Sequence, residues 1–178
     1  MATPAVPTPH VSPSASASAA ATLPPVGVVL RQPWATAELT NVRTGEVVRI
    51  ADLAASGKVV FIQTMAIWCS SCRAQQHEAV SAFERLDPSR VVWVGIDVET
   101  TESAKALAAY SDRNGFPFTY VIADAGMARA LADEFGDVVL SPPAVNVIVI
   151  GTDGRVTQTR RGHKTADELV SLAMDHGA

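Results

Sequence analysis

The residue pattern predicts an α/β fold, a mixed central β-sheet with helices on both faces. Three observations predict it. From Val26 onward, strand-length apolar runs alternate with helical stretches. The run Val91–Asp97, VVWVGID, is apolar almost throughout, the pattern of a strand buried on both faces of a parallel sheet. The chain then finishes with a hairpin turn and a helix, so a β-α-β-α-β-α beginning acquires antiparallel strands at its end.

Each element has its own signal. Val47–Ile50 reads as a short strand after the turn Arg43-Thr44-Gly45-Glu46. Lys58–Met65, KVVFIQTM, is a strand introduced by Gly57. A helix is predicted from Cys69 to about Leu86, where Asp87-Pro88 ends it. After the strand Val91–Asp97 comes a helix over Glu102–Asn114, with Ala104, Leu107, Ala108 and Tyr110 inward and Gly115 as its stop. Phe118–Ile122 is a strand and Met127–Phe135 a helix stopped by Gly136. Val145–Ile150 is a strand, turned at Thr152-Asp153-Gly154 into Arg155–Thr159. The last helix starts near Thr165, where Thr165 and Glu168 fit a capping box, and runs to about Met174.

At 178 residues the chain holds one domain plus a tail. Residues 1–25 are almost entirely Ala, Pro, Ser, Thr and Val and carry no charged side chain. Such a segment has too little to bury to offset the entropy of ordering, so it is expected to be disordered. It lacks the basic and continuous apolar regions of a signal peptide. It reads either as a tether to an export signal or anchor, or as a plain tail. Residues 26–178 form the expected folded domain. With 48% hydrophobic residues the domain has material for a core. A net charge of −4 leaves no basic surplus for neutralising phosphates, which argues against nucleic acid as a partner. The two cysteines exclude both a disulfide-stapled mini-domain and a four-cysteine zinc site. No apolar stretch approaches the ~20 residues that span a bilayer.

The chemistry concentrates in Trp68-Cys69-Ser70-Ser71-Cys72. This motif falls where an apolar strand ends and a helix begins. A cysteine there has free backbone N–H groups and the positive end of the helix dipole beside its sulfur, and both favour thiolate. Cysteine pKa values in such settings fall from about 8.5 to between about 3.5 and about 7.5. Cys69 is expected to be the exposed nucleophile, and Cys72, one turn on, the thiol that resolves a mixed disulfide. A zinc half-site would need two more ligands. The four histidines, His10, His77, His163 and His176, offer no closely spaced pair. Neither a bound metal nor any other cofactor is therefore expected.

The motif and its surroundings resemble the thioredoxin superfamily from about Val26 to Ala173, and within it the extracytoplasmic TlpA/ResA-like thiol–disulfide oxidoreductases. Gly57, Lys58, Ala66, Trp68, Cys69, Cys72 and Arg73 match that group's signature. Leu39, Gly45 and Leu53 resemble its N-terminal hairpin, and Asp153-Gly154-Arg155-Val156 with Gly162 its terminal one. The resemblance implies a thioredoxin-like fold with an N-terminal β-hairpin extension. It also implies thiol–disulfide exchange with protein substrates such as apocytochrome c or misoxidised secreted proteins, and a membrane electron donor. The expected placement is extracytoplasmic, membrane-tethered or secreted, and the expected state a monomer. Trp68 is expected to flank the cysteines and contact partner proteins.

The sequence departs from the group in three places. The slot of the family's cis-proline falls on Val145; either Pro143 serves from a loop shifted by about two residues, facing the cysteines and the substrate, or that proline is absent. The positions where relatives carry a buried acid fall on Gln63 and Gln75, neither of which can be a base; Gln63 is expected to hydrogen-bond within the sheet. A helix proline found in relatives is replaced by His77, expected at the surface. Glu78 and the cluster Arg160, Arg161 and Lys164 are expected to be solvated, while Trp93, Met65 and Met127 are expected to pack.

The reading is a protein-disulfide oxidoreductase. Two alternatives stand beside it. A peroxiredoxin-like peroxide reductase would want a Thr three residues before its cysteine, where this chain has Ala66. A Cu(I) carrier would use Cys69, Cys72 and one further ligand.

Overall fold

The computed structural model describes Met1 and residues 28–178. Apart from Met1, the expected tail lies outside the described residues. The elements in chain order are α1 (Pro33–Thr36), β1 (Leu39–Thr40), β2 (Val47–Val48), α2 (Ile50–Ala55), β3 (Val59–Met65), α3 (Ser70–Phe83), β4 (Val91–Asp97), α4 (Ala104–Asn114) and β5 (Thr119–Ile122). They continue with α5 (Ala125–Phe135), two single 3₁₀ turns (Asp137–Leu140 and Pro142–Ala144), β6 (Val147–Ile150), β7 (Val156–Gln158) and α6 (Ala166–Asp175).

The main sheet has the order β5-β4-β3-β6-β7. β3, β4 and β5 are parallel, whereas β6 runs antiparallel to β3 and β7 antiparallel to β6. Every residue of β3 is buried, as its continuous apolar run requires of a central strand. Alternation then divides the strands between two cores. Phe61, Trp93, Tyr120 and Val149 face α3, α4 and α6, while Val60, Ile62, Val94, Val121 and Ile148 face α1, α2 and α5. β1 and β2 form a separate hairpin with Leu39 opposite Val48.

Two segments differ from the sequence reading. The strand expected over Val47–Ile50 stops at Val48, and Ile50 opens helix α2. Ile50 and Ala54, four residues apart on one helical face, are both fully buried. The strand expected from Val145 begins at Val147, because Val145 sits in the left-handed region at φ 48°. Elsewhere the signals and the structure agree within a few residues. Thr165 and Glu168 form the reciprocal capping box at the start of α6. Gly115 ends α4 at φ 67°. Among the described residues no helix is long and apolar enough to cross a membrane.

Candidate active site

β3 ends at Met65, and the loop Ala66–Trp68 carries the chain to the start of α3. Cys69 is the N-cap of that helix: its Sγ accepts the Cys72 N–H at 3.1 Å, and its carbonyl accepts the Arg73 N–H. A sulfur in this place takes up one of the N–H groups a helix start leaves unpaired. Cys69 and Cys72 are joined as a disulfide with their Cα atoms 5.3 Å apart. Cys72 is fully buried and Cys69 is 2% exposed. The expectation of an exposed Cys69 is thus corrected for the oxidised form. Its sulfur is turned inward onto the helix N–H and bonded to Cys72, with the Ser71 hydroxyl 3.4 Å away.

Around the pair, Trp68 is 57% exposed, and its indole N–H donates to Glu99 at 3.3 Å. On the other side, the Pro142 carbonyl oxygen lies 3.1 Å from Cys72 Sγ. In the disulfide this is a close contact. In the dithiol a Cys72 S–H can donate to it. Pro142 is buried and Pro143 is exposed beside it. All peptide bonds of the described residues are trans, so the cis-proline alternative gives way to a trans loop in which Val145 holds the left-handed conformation.

The buried amides work differently from expectation. Gln63 donates to the Cys72 carbonyl at 3.3 Å, reaching across to the active-site helix rather than along the sheet. Gln75 accepts the Lys164 N–H at 2.7 Å and donates to the Lys164 carbonyl at 3.0 Å. His77 is exposed and rests edge-on against Phe116. Glu78 is not simply solvated: it accepts the Ala166 N–H at 2.7 Å, at the first turn of α6.

Lys164 departs furthest from its expectation. It is 2% exposed, and its ammonium donates to the Val145 carbonyl at 2.9 Å and the Gly162 carbonyl at 2.7 Å. Burial, then Arg160, lowers its pKa to about 8. Arg160 and Arg161 remain exposed.

Sequence reasoning missed the acids beside the Ala66–Trp68 loop. Asp97 ends β4 in register with Met65 and is fully buried. One of its oxygens accepts the Glu99 N–H, while the other is buried without a hydrogen-bond partner. Burial, then the neighbouring Glu102 carboxyl, raises the Asp97 pKa to about 8. The signal was present: an acid closing a buried strand's apolar run. Among the described residues, no group of three or more His, Cys, Asp or Glu side chains is arranged to hold a metal ion.

Fold and site together define a thioredoxin-like thiol–disulfide oxidoreductase. The chain belongs to the Redoxin family, whose model matches residues 26–173. Several solved structures share the fold. A thioredoxin-family thiol:disulfide interchange protein from Chlorobium tepidum is 19% identical; the match covers 79% of this chain and 94% of that one, with a TM-score of 0.64. A secreted Mycobacterium tuberculosis disulfide oxidoreductase homologous to Escherichia coli DsbE is also 19% identical, over 80% and 97%, with a TM-score of 0.62. StoA from Bacillus subtilis is 18% identical, over 78% and 98%, with a TM-score of 0.57. No curated protein matches the chain.

Proposed function

We propose that this protein reduces or exchanges disulfides of other proteins, with Cys69 as nucleophile and Cys72 as resolving thiol. The Cys69 thiolate attacks one sulfur of a substrate disulfide. A Cys69–substrate bond forms and the other substrate sulfur leaves as thiolate. Cys72, deprotonated, then attacks Cys69 Sγ and releases the second substrate thiolate. The substrate gains two electrons, and the pair Cys69–Cys72 loses them and closes as the disulfide. An outside dithiol of lower potential returns the electrons, so the cysteines themselves are the redox cofactor.

The observation that carries this reading is the Cys72 N–H donated to Cys69 Sγ at the start of α3. The same N–H and helix dipole stabilise a Cys69 thiolate once the pair is reduced. Trp68, next to Cys69, and Pro143, next to the Pro142 whose carbonyl meets Cys72, are both exposed and are proposed to contact the substrate. The proposal includes action as a monomer outside the cytoplasm, with a membrane protein as electron donor. The secreted relative from M. tuberculosis supports that placement.

The test is a trap. Cys72→Ser cannot resolve the mixed disulfide, so incubation with an oxidised protein substrate should accumulate a covalent adduct through Cys69 that dithiothreitol releases. Cys69→Ser should give none. Equal trapping by both variants, or by neither, contradicts the assignment.

A further inference from the structure

Val145 is a β-branched residue held at φ 48°, ψ 61° and 2% exposed. A valine does not adopt the left-handed region unless its surroundings impose it. Three bonds surround it. Its N–H donates to the Pro142 carbonyl at 3.0 Å, the neighbouring Ala144 carbonyl accepts the Gly162 N–H at 2.9 Å, and its own carbonyl accepts the Lys164 ammonium at 2.9 Å. The Pro142 carbonyl is the same group that lies 3.1 Å from Cys72 Sγ.

Lys164 is an unusual residue for this duty. Among the described residues no carboxylate lies within ion-pair distance of its ammonium; it meets backbone carbonyls instead. A buried charge without a counter-ion is costly. Its backbone is fixed as well, since both its N–H and its carbonyl are bonded to Gln75, one helical turn beyond Cys72 on α3. One residue therefore ties the active-site helix to the loop that faces it.

We propose that Lys164 is a positioning residue for the resolving cysteine: its ammonium holds Val145 in the left-handed turn that presents the Pro142 carbonyl to Cys72 Sγ. The inference rests on the oxidoreductase reading above and names the device that replaces a proline at this loop. Its consequence is directional. The carbonyl can accept a hydrogen bond from the Cys72 S–H but not from a disulfide sulfur, so the contact favours the dithiol. Releasing the loop removes that preference and moves the couple toward the disulfide.

The test compares wild type, Lys164→Met and Lys164→Gln in glutathione buffers, with alkylation reporting the Cys69–Cys72 state. Lys164→Met keeps the buried stem and loses the donors; Lys164→Gln keeps a shorter donor. The glutathione equilibrium constant should shift toward the disulfide by about 2- to 10-fold in Lys164→Met, the worth of one hydrogen bond, and less in Lys164→Gln. A merely structural lysine would lower the unfolding midpoint and leave this constant alone. An unchanged constant, or one shifted toward the dithiol, in whichever variant is folded overturns the inference. Wild type showing no reversible couple is a different failure, and it sinks the oxidoreductase reading itself.

Discussion

Glu102 accepts the Ile67 N–H with both carboxylate oxygens, at 2.9 and 3.1 Å. That bond crosses from the loop before α4 to the loop before Cys69. It ties the approach to the nucleophile to an acid that, second only to burial, raises the pKa of Asp97. With Glu99 bonded to Trp68, two of the three acids grip the two residues that precede Cys69.

Asp97 makes stability depend on pH. Its folded pKa is raised from 3.8 to about 8, so between those values the folded chain holds a proton that the unfolded chain has lost. Stability contributed by this group is full below the unfolded value and declines as pH rises toward 8. Asp97→Asn, which keeps the shape and cannot ionise, should gain on wild type by about 1 kcal/mol for each pH unit between 5 and 8. Urea unfolding at a series of pH values measures it; a difference that stays flat with pH contradicts the assignment.

Gly95 leaves room for an aromatic ring. A Cβ at that position would lie 2.6 Å from two ring carbons of Tyr120, its partner across β4 and β5. The ring cannot easily move, because Tyr120 donates its hydroxyl to Gln76 on α3 at 2.8 Å. Gly95→Ala should destabilise the protein by about 1–3 kcal/mol, the range for overpacking a core. A melting curve within error of wild type would show that the ring yields.

The Gln75 side chain stands in for a strand partner at Lys164. Gln75→Met keeps the volume and strands a buried N–H and a buried carbonyl. The expected loss is about 2–4 kcal/mol in chemical denaturation, from two groups at about 1–3 kcal/mol each with partial rescue by water. A loss below about 0.5 kcal/mol, the ordinary effect of a surface substitution, would mean that water replaces the amide fully.

What could be read from the sequence was local. The apolar run of β3, the capping box at Thr165 and Glu168, and the cysteine pair at a strand–helix junction each depend on neighbours within a few residues, and each was found. The site's supports were not. Lys164 reads as a solvated cation because nothing nearby in sequence reveals that its ammonium ends on Val145, 19 residues away. Gln75 gives no sign of a partner 89 residues on. Helix α2 escaped because Ile50, two residues past Val48, continues the strand alternation of Val47–Val48 by two residues. Asp97 closes the apolar run VVWVGID, but its burial depends on the sheet closing around it.

The central claim is that Cys69 and Cys72 form a working redox couple, and its reduction potential is the most direct test. Wild-type protein is equilibrated in graded glutathione buffers, alkylated with a mass-shifting reagent and read by mass spectrometry. The account predicts a reversible two-electron transition assigned to Cys69–Cys72, with a potential near about −250 mV or below for a reductant and near about −120 mV for an oxidant. A folded protein whose cysteine pair shows no reversible transition across these buffers would contradict it.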